Sequence, residues 1–506
     1  MKNKIFNLKN LSSIIKLKKK QNKKIVLCHG VFDLVHLGHL EHFKNAKAHG
    51  DILIVTTTSD KFINKGPNRP YFKNDTRQKL LEGISCIDYI SEINSDSAIP
   101  AIEALKPDFY CKGNDYKNKK DDITKKISKE LQILKNNNGK FIITNEVSFS
   151  SSKILTDHNL VLNNKQKKEF SIIKNNYTFE KIKKIFSKIK KLKVLVIGEL
   201  IIDKYNFCDP LGKSGKDPIM MFQKLYYEEY LGGAAAISNN IGKFCEKVKL
   251  ISMIGNDKKF QRFIKSKIIK TVSTNLLIQS RLKTILKEKY IDNVSKSKLI
   301  GFYDFSDNQI NSSEENILIK KINKQIKNYD VTIVADYGHN IFSNKVAKLV
   351  ANKSKFLAVN SQINAANIYH HSIDKFSKTE ITMINEGELR HELRDRNNDV
   401  KKLVLKLNKI INTKFIVITM GVNGALLFNC KSKKFVHSAS YANSVVDKIG
   451  SGDTMLSILS IFLKITNDPA LSMLLASLAA AENVGNFGNS KNIDPNKILK
   501  VLQHLF

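Results

Sequence analysis

The sequence of 506 residues is short of several residue types, and each shortage excludes a class of protein. It contains no tryptophan, and its six cysteines are scattered and form no C-x-x-C pair. This spacing argues against a disulfide-stapled secreted protein and against a structural zinc site, and it favours a reducing compartment. The longest uncharged apolar stretches, around 455–463 and 470–481, fall short of the roughly 18–20 residues that a membrane helix needs. The lysine-rich N-terminus lacks the apolar core of a signal peptide, so we expect a cytoplasmic protein without a membrane partner.

Arginine is also scarce, although the chain is strongly basic. Of the 84 basic residues 77 are lysine, and the formal net charge is +37. Proteins that read DNA bases rely on bidentate arginine, whereas these lysines are spread along the chain among asparagine and isoleucine. We therefore expect a solvated lysine-rich surface and no nucleic-acid partner. The alternative, a nucleic-acid-binding protein, predicts tight binding that falls steeply with salt.

Two segments, 24–30 and 193–198, begin in the same way, with an apolar run that follows a lysine and ends in a glycine turn. A short β-branched run of this kind is typical of the first strand of a parallel α/β sheet. Further apolar runs alternate with helical stretches after each of them, so the predicted fold class is α/β with two Rossmann-like parallel-sheet domains. The predicted strands are 24–28, 51–56, 88–91, 108–112 and 140–144 in the first domain, and 193–197, 249–254, 331–335, 355–359, 380–384 and 414–419 in the second.

The domain boundaries follow from these strands. Residues 1–160 form the first predicted domain, and 191–506 form a second, larger one that ends in helices. Between them, 161–190 carries many lysines and has apolar residues at helical spacing, which predicts a helical linker.

The first candidate site follows the first strand, where 29–39 read HGVFDLVHLGH. His36 and His39 are three residues apart at a helix start, so both imidazoles can lie on one face. Gly38 leaves room for a ligand beside the backbone. Free N–H groups at a helix start, together with two imidazoles, suit a triphosphate and can stabilise a phosphoryl transition state. The alternative is a pair of surface histidines in a turn.

Around these histidines the sequence resembles the nucleotidyltransferase superfamily of the glycerol-phosphate cytidylyltransferases. It is still more similar to the adenylyltransferase half of the bifunctional heptose kinase/adenylyltransferases. The signature G-x-F-D-x-x-H-x-G-H is complete at 30–39. Lys65, with Arg69-Pro70 and Arg77 after it, is similar to the basic loop of that family. The segments 112–116 (KGNDY) and 148–152 (SFSSS) resemble its K-G-x-D-Y turn and its phosphate-holding helix start, so the resemblance covers about 22–160.

This resemblance implies a nucleotidyltransferase fold of the HxGH type. His36 and His39 would stabilise the transition state, and Lys65 would neutralise phosphate charge. A sugar phosphate or alcohol phosphate would attack the α-phosphorus of ATP or CTP and release pyrophosphate, with Mg²⁺ present. The implied nucleotide- and phosphate-binding residues are Gly30, Phe32, Asp33, Gly38, Arg77, Lys112, Asp115, Ser150, Ser151 and Ser152.

The second candidate site lies near the C-terminus, where 447–453 read DKIGSGD directly before an apolar helical run at 454–463. Glycines at a helix start expose backbone N–H groups as an anion hole. An acid in the same turn, Asp453, can take a proton from a hydroxyl that attacks a γ-phosphate. The alternative is a simple helix-start turn.

The C-terminal part, over about 191–506, resembles the ribokinase-like sugar kinases of the phosphofructokinase-B type. Gly232 and Gly233 open a G-G-A-A run similar to the substrate-side motif of that family, and Asp203 resembles its first-strand aspartate. Asn385 and Glu388 resemble its N-x-x-E motif. The segment 419–424 (TMGVNG) resembles a turn that contacts the nucleotide.

The second resemblance implies a ribokinase-like fold and an ATP-dependent kinase whose general base is Asp453. It also suggests a homodimer formed through the kinase half. The other implied roles are an anion hole at Gly450, Ser451 and Gly452, nucleotide contacts at Thr419, Gly421 and Gly424, sugar contacts at Asp203, Gly232 and Gly233, and water-mediated Mg²⁺ binding at Asn385 and Glu388.

Three departures from the pattern of that family bear on the substrate. Ala236 stands where asparagine is usual, 360–362 read Asn-Ser-Gln in place of Asp-Pro-Lys, and Lys448 replaces an uncharged residue. Losing a charge-assisted bond costs about 1.5–3 kcal/mol, so we expect a retuned or weakened kinase rather than an inactive one. The bifunctional heptose enzymes also carry the kinase first, whereas here the order is reversed, which leaves heptose itself open.

Together the two sites predict a bifunctional enzyme. One half would phosphorylate a sugar with ATP, and the other would transfer AMP or CMP from ATP or CTP to a sugar phosphate, for nucleotide-activated sugar and surface polysaccharide synthesis. The alternative is an active nucleotidyltransferase, such as a cytidylyltransferase acting on a polyol phosphate, joined to a catalytically weak kinase-like binding domain. The sugar, its anomer and the transferred base depend on pocket walls from distant residues and stay open.

Overall fold

The computed structural model describes residues 3–63, 66, 69–113, 126–144, 162–306, 310–339, 341–364, 366–368, 372–442 and 444–506. Contacts divide the chain into two compact units. One consists of Met1–Lys167 and Asn496–Phe506, and the other of Lys168–Pro495. Within the described part of the chain, no helix is both long and apolar enough to span a bilayer.

The first unit is built on five strands and the helices between them. The strands are Ile25–Gly30 (β1), Ile52–Thr58 (β2), Tyr89–Ile93 (β3), Phe109–Lys112 (β4) and Lys140–Ile143 (β5). The helices are Leu8–Lys20 (α1), Leu37–Lys47 (α2), Asn74–Glu82 (α3), Ile99–Leu105 (α4) and Lys126–Asn136 (α5).

All five strands are parallel, in the order β3-β2-β1-β4-β5. Because side chains alternate along a strand, β1 supplies two cores. Ile25 and Leu27 pack with residues of α1, α4 and α5, whereas Val26 and Cys28 pack with residues of α2 and α3. Helices therefore cover both faces, and the carboxyl end of β1 is left as the edge where the first candidate site forms.

The second unit has a longer series of elements. Its strands are Lys193–Gly198 (β6), Leu200–Lys213 (β7), Met220–Gly232 (β8), Lys247–Gly255 (β9), Val272–Gln279 (β10), Ile285–Asp292 (β11), Lys298–Asp304 (β12), Val331–Asp336 (β13), Leu357–Ser361 (β14), Thr379–Asn385 (β15), Thr413–Thr419 (β16), Ala425–Asn429 (β17) and Lys434–Ser438 (β18). The remaining helices of the chain are Asn164–Asn176 (α6), Phe179–Ile189 (α7), Gly233–Phe244 (α8), Lys258–Lys267 (α9), Ser312–Asn323 (α10), Asn344–Lys353 (α11), Glu386–Glu392 (α12), Val400–Leu407 (α13), Ser451–Thr466 (α14), Pro469–Val484 (α15) and Pro495–Leu505 (α16).

Nine of these strands form one sheet, in the order β10-β9-β6-β13-β14-β15-β16-β17-β18. The strands from β10 to β16 are parallel, and β17 and β18 add two antiparallel hairpin strands. Val334 and Val359 share a buried core with Leu318 of α10 and Val346 of α11. The carboxyl ends of β13, β14, β15 and β16 meet at one edge, where α/β sheets bind ligands.

A separate four-stranded sheet has the order β12-β11-β7-β8. The long strands β7 and β8 form an antiparallel hairpin, β11 runs parallel to β7, and β12 is antiparallel to β11. One end of this sheet places Asp203, Lys287, Lys289 and Tyr303 around a cavity. Its two edge strands, β8 and β12, are mostly exposed.

The predicted fold class is confirmed, and each predicted strand has a counterpart within a few residues. The prediction missed β7, β8, β10, β11, β12, β17 and β18. Four of these, β7, β8, β11 and β12, mix charged and apolar residues without the continuous apolar run that marks a central parallel strand. The predicted linker is folded as α6 and α7, and Phe186 of α7 packs edge-on against Phe462 at 4.9 Å between ring centroids. The contacts also group α16 with the first unit, whereas the predicted boundaries at 160 and 191 stay a prediction.

Candidate functional sites

In the first unit, the histidine signature connects β1 to α2. Gly30 ends β1, and His36 is the residue that caps the start of α2. The His36 and His39 rings stack with 3.9 Å between their centroids. The backbone N–H of His36 donates to Nδ1 of His39 at 3.4 Å. The fold thus brings both imidazoles to one helix start, with the buried Gly38 between them.

Phe32 and Asp33 shape the loop that precedes α2. Phe32 has a φ of 50° and packs edge-on against His39, with 5.4 Å between ring centroids. A Cβ on Gly30 would lie 2.9 Å from the Phe32 ring, so any larger residue there would displace that ring. Asp33 is buried, and its Oδ2 accepts a hydrogen bond from Nε of Arg69 at 2.6 Å. This ion pair holds the loop against the segment around Arg69.

Arg77 is fully buried and ties together the loops around this site. Its guanidinium donates to the carbonyls of Phe72 at 3.1 Å, Val31 at 2.5 Å and Thr58 at 2.8 Å, and to Asp60 at 2.7 Å. A guanidinium has five N–H groups, so most of its donors are used. This geometry favours a positioning role for Arg77 over the predicted direct contact with phosphate.

A buried polar cluster lies around Lys112, at the end of β4. Its ammonium donates to the carbonyl of His29 at 2.9 Å. His29 Nδ1 lies 3.0 Å from Thr56 Oγ1, and His42 Nδ1 lies 2.6 Å from Thr144 Oγ1. Burial, reinforced by the charge of Lys112, lowers the pKa of His42 to about 4 and that of His29 well below its usual value. Both imidazoles are therefore neutral near pH 7.

His29 and His42 were not predicted as site residues, because neither is part of the H-x-G-H pair. Five predicted residues of this site lie outside the described part of the chain: Lys65, Asp115, Ser150, Ser151 and Ser152. Their roles stay predictions.

In the second unit, a cavity of about 480 Å³ opens at the carboxyl ends of the central parallel strands. It is lined by most of the predicted kinase residues, namely Asp203, Gly233, Asn385, Glu388, Thr419, Gly450, Ser451, Gly452 and Asp453. Gly232, Gly421 and Gly424 are not among the residues that line it. Residues from opposite ends of the second unit's sequence therefore share one pocket.

Asp453 lies in the first turn of α14, directly after the glycine turn. Gly450 has a φ of 79°, and a Cβ there would lie 2.2 Å from Oδ1 of Asn489, so only glycine fits. Asp453 Oδ1 accepts hydrogen bonds from the Tyr337 hydroxyl at 2.6 Å and from Nδ2 of Asn360 at 3.4 Å. The carboxylate is thus held next to the free backbone N–H groups of a helix start.

The surroundings of Asp453 change its proton affinity. Burial raises the pKa of Asp453, and the nearby Asp203 raises it further, whereas Tyr337, Lys287 and Asn360 act in the opposite direction. A raised pKa makes a carboxylate a better proton acceptor, provided that it stays ionised at the working pH.

Two lysines of β11 face the same cavity, and neither was predicted. Lys289 donates to Asp203 Oδ1 at 2.7 Å. Lys287 is only 9% exposed, and its ammonium forms no hydrogen bond or ion pair with any described residue. Its Nζ lies 4.8 Å from the ring centroid of Tyr303 and 5.7 Å from that of Tyr337. Burial lowers the pKa of Lys287. No motif marks these lysines, because the strand reads ILKEKYID.

Glu199 was not predicted either, and its carboxylate holds the backbone at Tyr337. Its carboxylate accepts hydrogen bonds from the backbone N–H groups of Tyr337 at 3.0 Å and His339 at 3.2 Å. Burial, with the nearby Asp336, raises the pKa of Glu199 to about 8. Glu199 therefore fixes the loop from which Tyr337 reaches Asp453.

Asn385 and Glu388 form a capping box at the start of α12. The Asn385 side chain accepts from the Glu388 N–H at 2.9 Å, and Glu388 Oε2 accepts from the Asn385 N–H at 2.7 Å. Glu388 Oε1 accepts from the Ile363 N–H at 3.2 Å, and burial raises the pKa of Glu388 to about 7. Since these oxygens are already engaged, the pair fits Mg²⁺ through water better than by direct ligation. Among the described residues no cluster of three or more His, Cys, Asp or Glu side chains could hold a metal.

The predicted nucleotide turn joins β16 to β17. Thr419 ends β16 and lines the cavity, and the Met420 N–H donates to the Gly424 carbonyl at 2.8 Å. Gly424 has a φ of 82°, and a Cβ there would lie 2.0 Å from the Ser438 carbonyl oxygen. The turn therefore packs directly on the segment that follows β18.

The three departures noted in the sequence have distinct places. Ala236 is buried within α8. Asn360 ends up as a hydrogen-bond donor to Asp453, at 3.4 Å. Lys448 lines the cavity beside the glycine turn, where it adds a positive charge that the family pattern lacks.

Two family models match the chain. The model described as pfkB family carbohydrate kinase matches residues 191–496, and the one described as cytidylyltransferase-like matches residues 27–157.

Curated relatives carry the name "Bifunctional protein HldE". The one from Geobacter metallireducens is 40% identical over 115 residues, which is 22% of this chain and 24% of the relative. The one from Campylobacter curvus is 26% identical over 311 residues, 60% of this chain and 63% of the relative. One from Helicobacter pylori is 39% identical over 126 residues, 24% of this chain and 27% of the relative. Each alignment thus spans less than two thirds of the relative's length.

Among solved structures, ribokinase from Thermotoga maritima matches with a TM-score of 0.50 and 16% identity, over 62% of this chain and 99% of that chain. Ribokinase from Giardia lamblia matches with a TM-score of 0.51 and 17% identity, over 62% of this chain and 100% of that chain. At such identities the likeness shows a ribokinase-like fold and nothing further.

Proposed function

Because the chain belongs to the pfkB family of carbohydrate kinases and carries a cytidylyltransferase-like segment before it, we propose that it is a two-headed enzyme. The second unit phosphorylates a sugar with ATP. The first unit transfers a nucleotidyl group from ATP or CTP to a sugar phosphate and releases pyrophosphate. The product is a nucleotide-activated sugar of the kind used for surface polysaccharide.

One observation carries the kinase half of this proposal: Asp453 lies in a cavity between a helix start and the acceptor-side residues Asp203 and Lys287. The carboxylate takes the proton of the acceptor hydroxyl, whose oxygen attacks the γ-phosphorus. ADP leaves, and the N–H groups of the turn at Gly450 stabilise the transferred phosphoryl group. Mg²⁺ that enters with ATP would neutralise phosphate charge, and Asn385 and Glu388 would hold it through water.

The nucleotidyl transfer needs no covalent intermediate. A phosphate oxygen of the acceptor attacks the α-phosphorus, and the bond to pyrophosphate breaks. His36 and His39, stacked at the start of α2, donate to the phosphoryl oxygens as charge builds up. Lys65 and Ser150, Ser151 and Ser152 are proposed to contact the triphosphate.

The proposal is tested by incubating the purified chain with ATP, CTP and a panel of sugars and sugar phosphates, and by following products by mass spectrometry. We expect ADP from one acceptor, and pyrophosphate together with a nucleotide-sugar from its phosphorylated product. The absence of a nucleotide-sugar with every donor and acceptor would contradict the proposal.

Two variants separate the two activities. Asp453→Asn should lower ADP formation by about 10²–10⁴-fold, because it removes the base, and should leave pyrophosphate release unchanged. His39→Ala should lower pyrophosphate release and leave ADP formation unchanged. If Asp453→Asn forms ADP at the wild-type rate, the second unit is a kinase-like binding module.

We also propose that the chain acts in the cytoplasm, where its nucleotide substrates are made and where its six cysteines, all free in the structure, would stay reduced. We propose further that it forms a homodimer through the exposed edge strands of the four-stranded sheet. These strands expose large apolar side chains, including Met221, Phe222, Ile300 and Phe302. Exposed apolar side chains on edge strands are typical of an interface.

A further inference from the structure

A carboxylate in the segment predicted as a linker lies inside the second unit. Glu169, on α6, accepts three hydrogen bonds from the end of β18 and the segment that follows it. The donors are the Ser438 hydroxyl at 2.5 Å, the Ala439 N–H at 2.9 Å and the Tyr441 hydroxyl at 2.8 Å. Phe170, the next residue, is buried and packs edge-on against Tyr441 with 5.9 Å between ring centroids. Glu169 therefore fastens α6 to residues 438–441.

The same residues, 438–441, also pack against the predicted nucleotide turn at 419–424. Ser438 pairs with Ala425 in the antiparallel register of β17 and β18. The Ser438 carbonyl oxygen lies so close to Gly424 that a Cβ there would be only 2.0 Å away. A shift of this segment must therefore move Gly424, and with it the turn that begins at Thr419 in the cavity.

These contacts form one continuous path from α6 to the cavity. A carboxylate that accepts three donors is a firmer support than neutral side chains would be, because hydrogen bonds to charged groups are the stronger ones. Glu169 is not among the residues that line the cavity, and neither is any residue of 438–441. It therefore acts through the turn and not by contact.

We propose that Glu169 is a positioning residue for nucleotide binding in the kinase unit, so that the segment predicted as a linker is a working part of its ATP site. This inference rests on the proposed kinase function. It predicts that disturbing α6 at this one carboxylate weakens ATP binding in the second unit while the chemistry of the first unit continues.

The test compares Glu169→Ala with Glu180→Ala in the full chain. Glu180 is a matched control, because its exposed carboxylate on α7 pairs only with Lys183 on the same helix among described residues. In ADP formation with a saturating acceptor, Glu169→Ala should raise KM for ATP about tenfold, because it removes all three hydrogen bonds that hold residues 438–441. The kcat, the KM for the acceptor and the rate of pyrophosphate release should change by less than about twofold. Glu180→Ala should match the wild type in all four.

A more conservative variant guards against a folding defect. Tyr441→Phe removes one donor and keeps the aromatic contact with Phe170, and it should raise KM for ATP about threefold. An unchanged KM for ATP in a folded Glu169→Ala protein overturns the inference. If Glu169→Ala does not fold, an unchanged KM for ATP in Tyr441→Phe overturns it instead. A wild-type chain that forms no ADP from any acceptor overturns the proposed function, whereas a wild type that forms ADP with a KM insensitive to these variants overturns this inference alone.

Discussion

At the residue scale, the charges placed around Asp453 decide the protonation of the proposed kinase base. Asp203 and burial favour the neutral acid, and Lys287 favours the carboxylate. The base must be ionised to accept a proton, so activity falls as the pH drops through its pKa. Because that pKa is raised, we expect the acid limb of the kinase profile above the usual aspartate value of about 3.9.

The variant Lys287→Met tests how the charge of Lys287 affects the pKa of Asp453. Removal of the nearby positive charge should raise the pKa of Asp453 further, so the acid limb of kcat/KM for ADP formation should move to higher pH. The measurement is the pH profile of ADP formation, normalised to its plateau.

The matched control for this variant is Lys283→Met. Lys283 precedes the same strand, and its side chain is 62% exposed and paired with Asp304. That variant should leave the profile in place. An acid limb that stays fixed or moves to lower pH in Lys287→Met would show that Lys287 does not act on the base.

In the first unit, the surroundings of two buried histidines favour their uncharged form. Burial and Lys112 keep His29 and His42 neutral, so these two imidazoles serve as hydrogen-bonding supports rather than as charges on phosphate. Positive charge for the triphosphate must come from other residues, among which Lys65 is the proposed one.

At the scale of elements, both sites are built from a strand, a turn and a helix start. In the second unit the turn before α14 is also tied to the four-stranded sheet. Asp447 is buried, and its carboxylate accepts from Lys298 of β12 at 2.6 Å and from the Tyr205 hydroxyl of β7 at 2.8 Å. Burial raises the pKa of Asp447, but the bonds from Lys298 and Tyr205 outweigh it and hold the pKa below its ordinary value. These bonds fix the glycine turn relative to the sheet.

Lys298→Met should therefore loosen the anion hole. We expect kcat for ADP formation to fall about tenfold, equivalent to about 1.4 kcal/mol, because a charged bond to a buried carboxylate is lost. Lys298→Arg should retain most of the rate, and pyrophosphate release should be unchanged in both. Equal kcat values for Lys298→Met and the wild type would show that Lys298 does not contribute to ADP formation.

At the scale of the whole molecule, the order of the two units leaves the kinase preceded by helices that pack on it. Phe170 and Phe186 are buried, so α6 and α7 belong to the folded structure rather than to a free tether. The buried side chains of 168–190 are therefore part of the core of the second unit, in addition to the effect proposed for Glu169.

The proposed homodimer is tested at the same scale. The double variant Phe222→Glu/Ile300→Glu places charges on the exposed β8 and β12 strands, where these side chains are 37% and 56% exposed. Light scattering should then report one chain per particle in place of two, because like charges would oppose the contact. Leu405→Glu, at an exposed position of α13, should leave the dimer intact. A wild-type chain that is monomeric at the same concentration would rule the dimer out.

Most strands of the two parallel sheets, and both helix starts, are predictable from the sequence alone. A buried parallel strand must be a continuous apolar run, and a phosphate-binding turn must contain glycine, so both leave local patterns. The stacked pair His36 and His39 and the turn before Asp453 could be found in this way.

Which distant side chains join those turns depends on the tertiary structure. Lys287, on the four-stranded sheet, affects the charge of Asp453, and Asn360 donates a hydrogen bond to it from β14. Glu169 supports a turn some 250 residues further along the chain. The sequence predicts that Arg77 binds phosphate, whereas in the fold its guanidinium donates hydrogen bonds to three backbone carbonyls. Such contacts join residues that are far apart in the chain, because the connections between strands bring their segments together. They leave no periodic pattern or fixed spacing in the sequence.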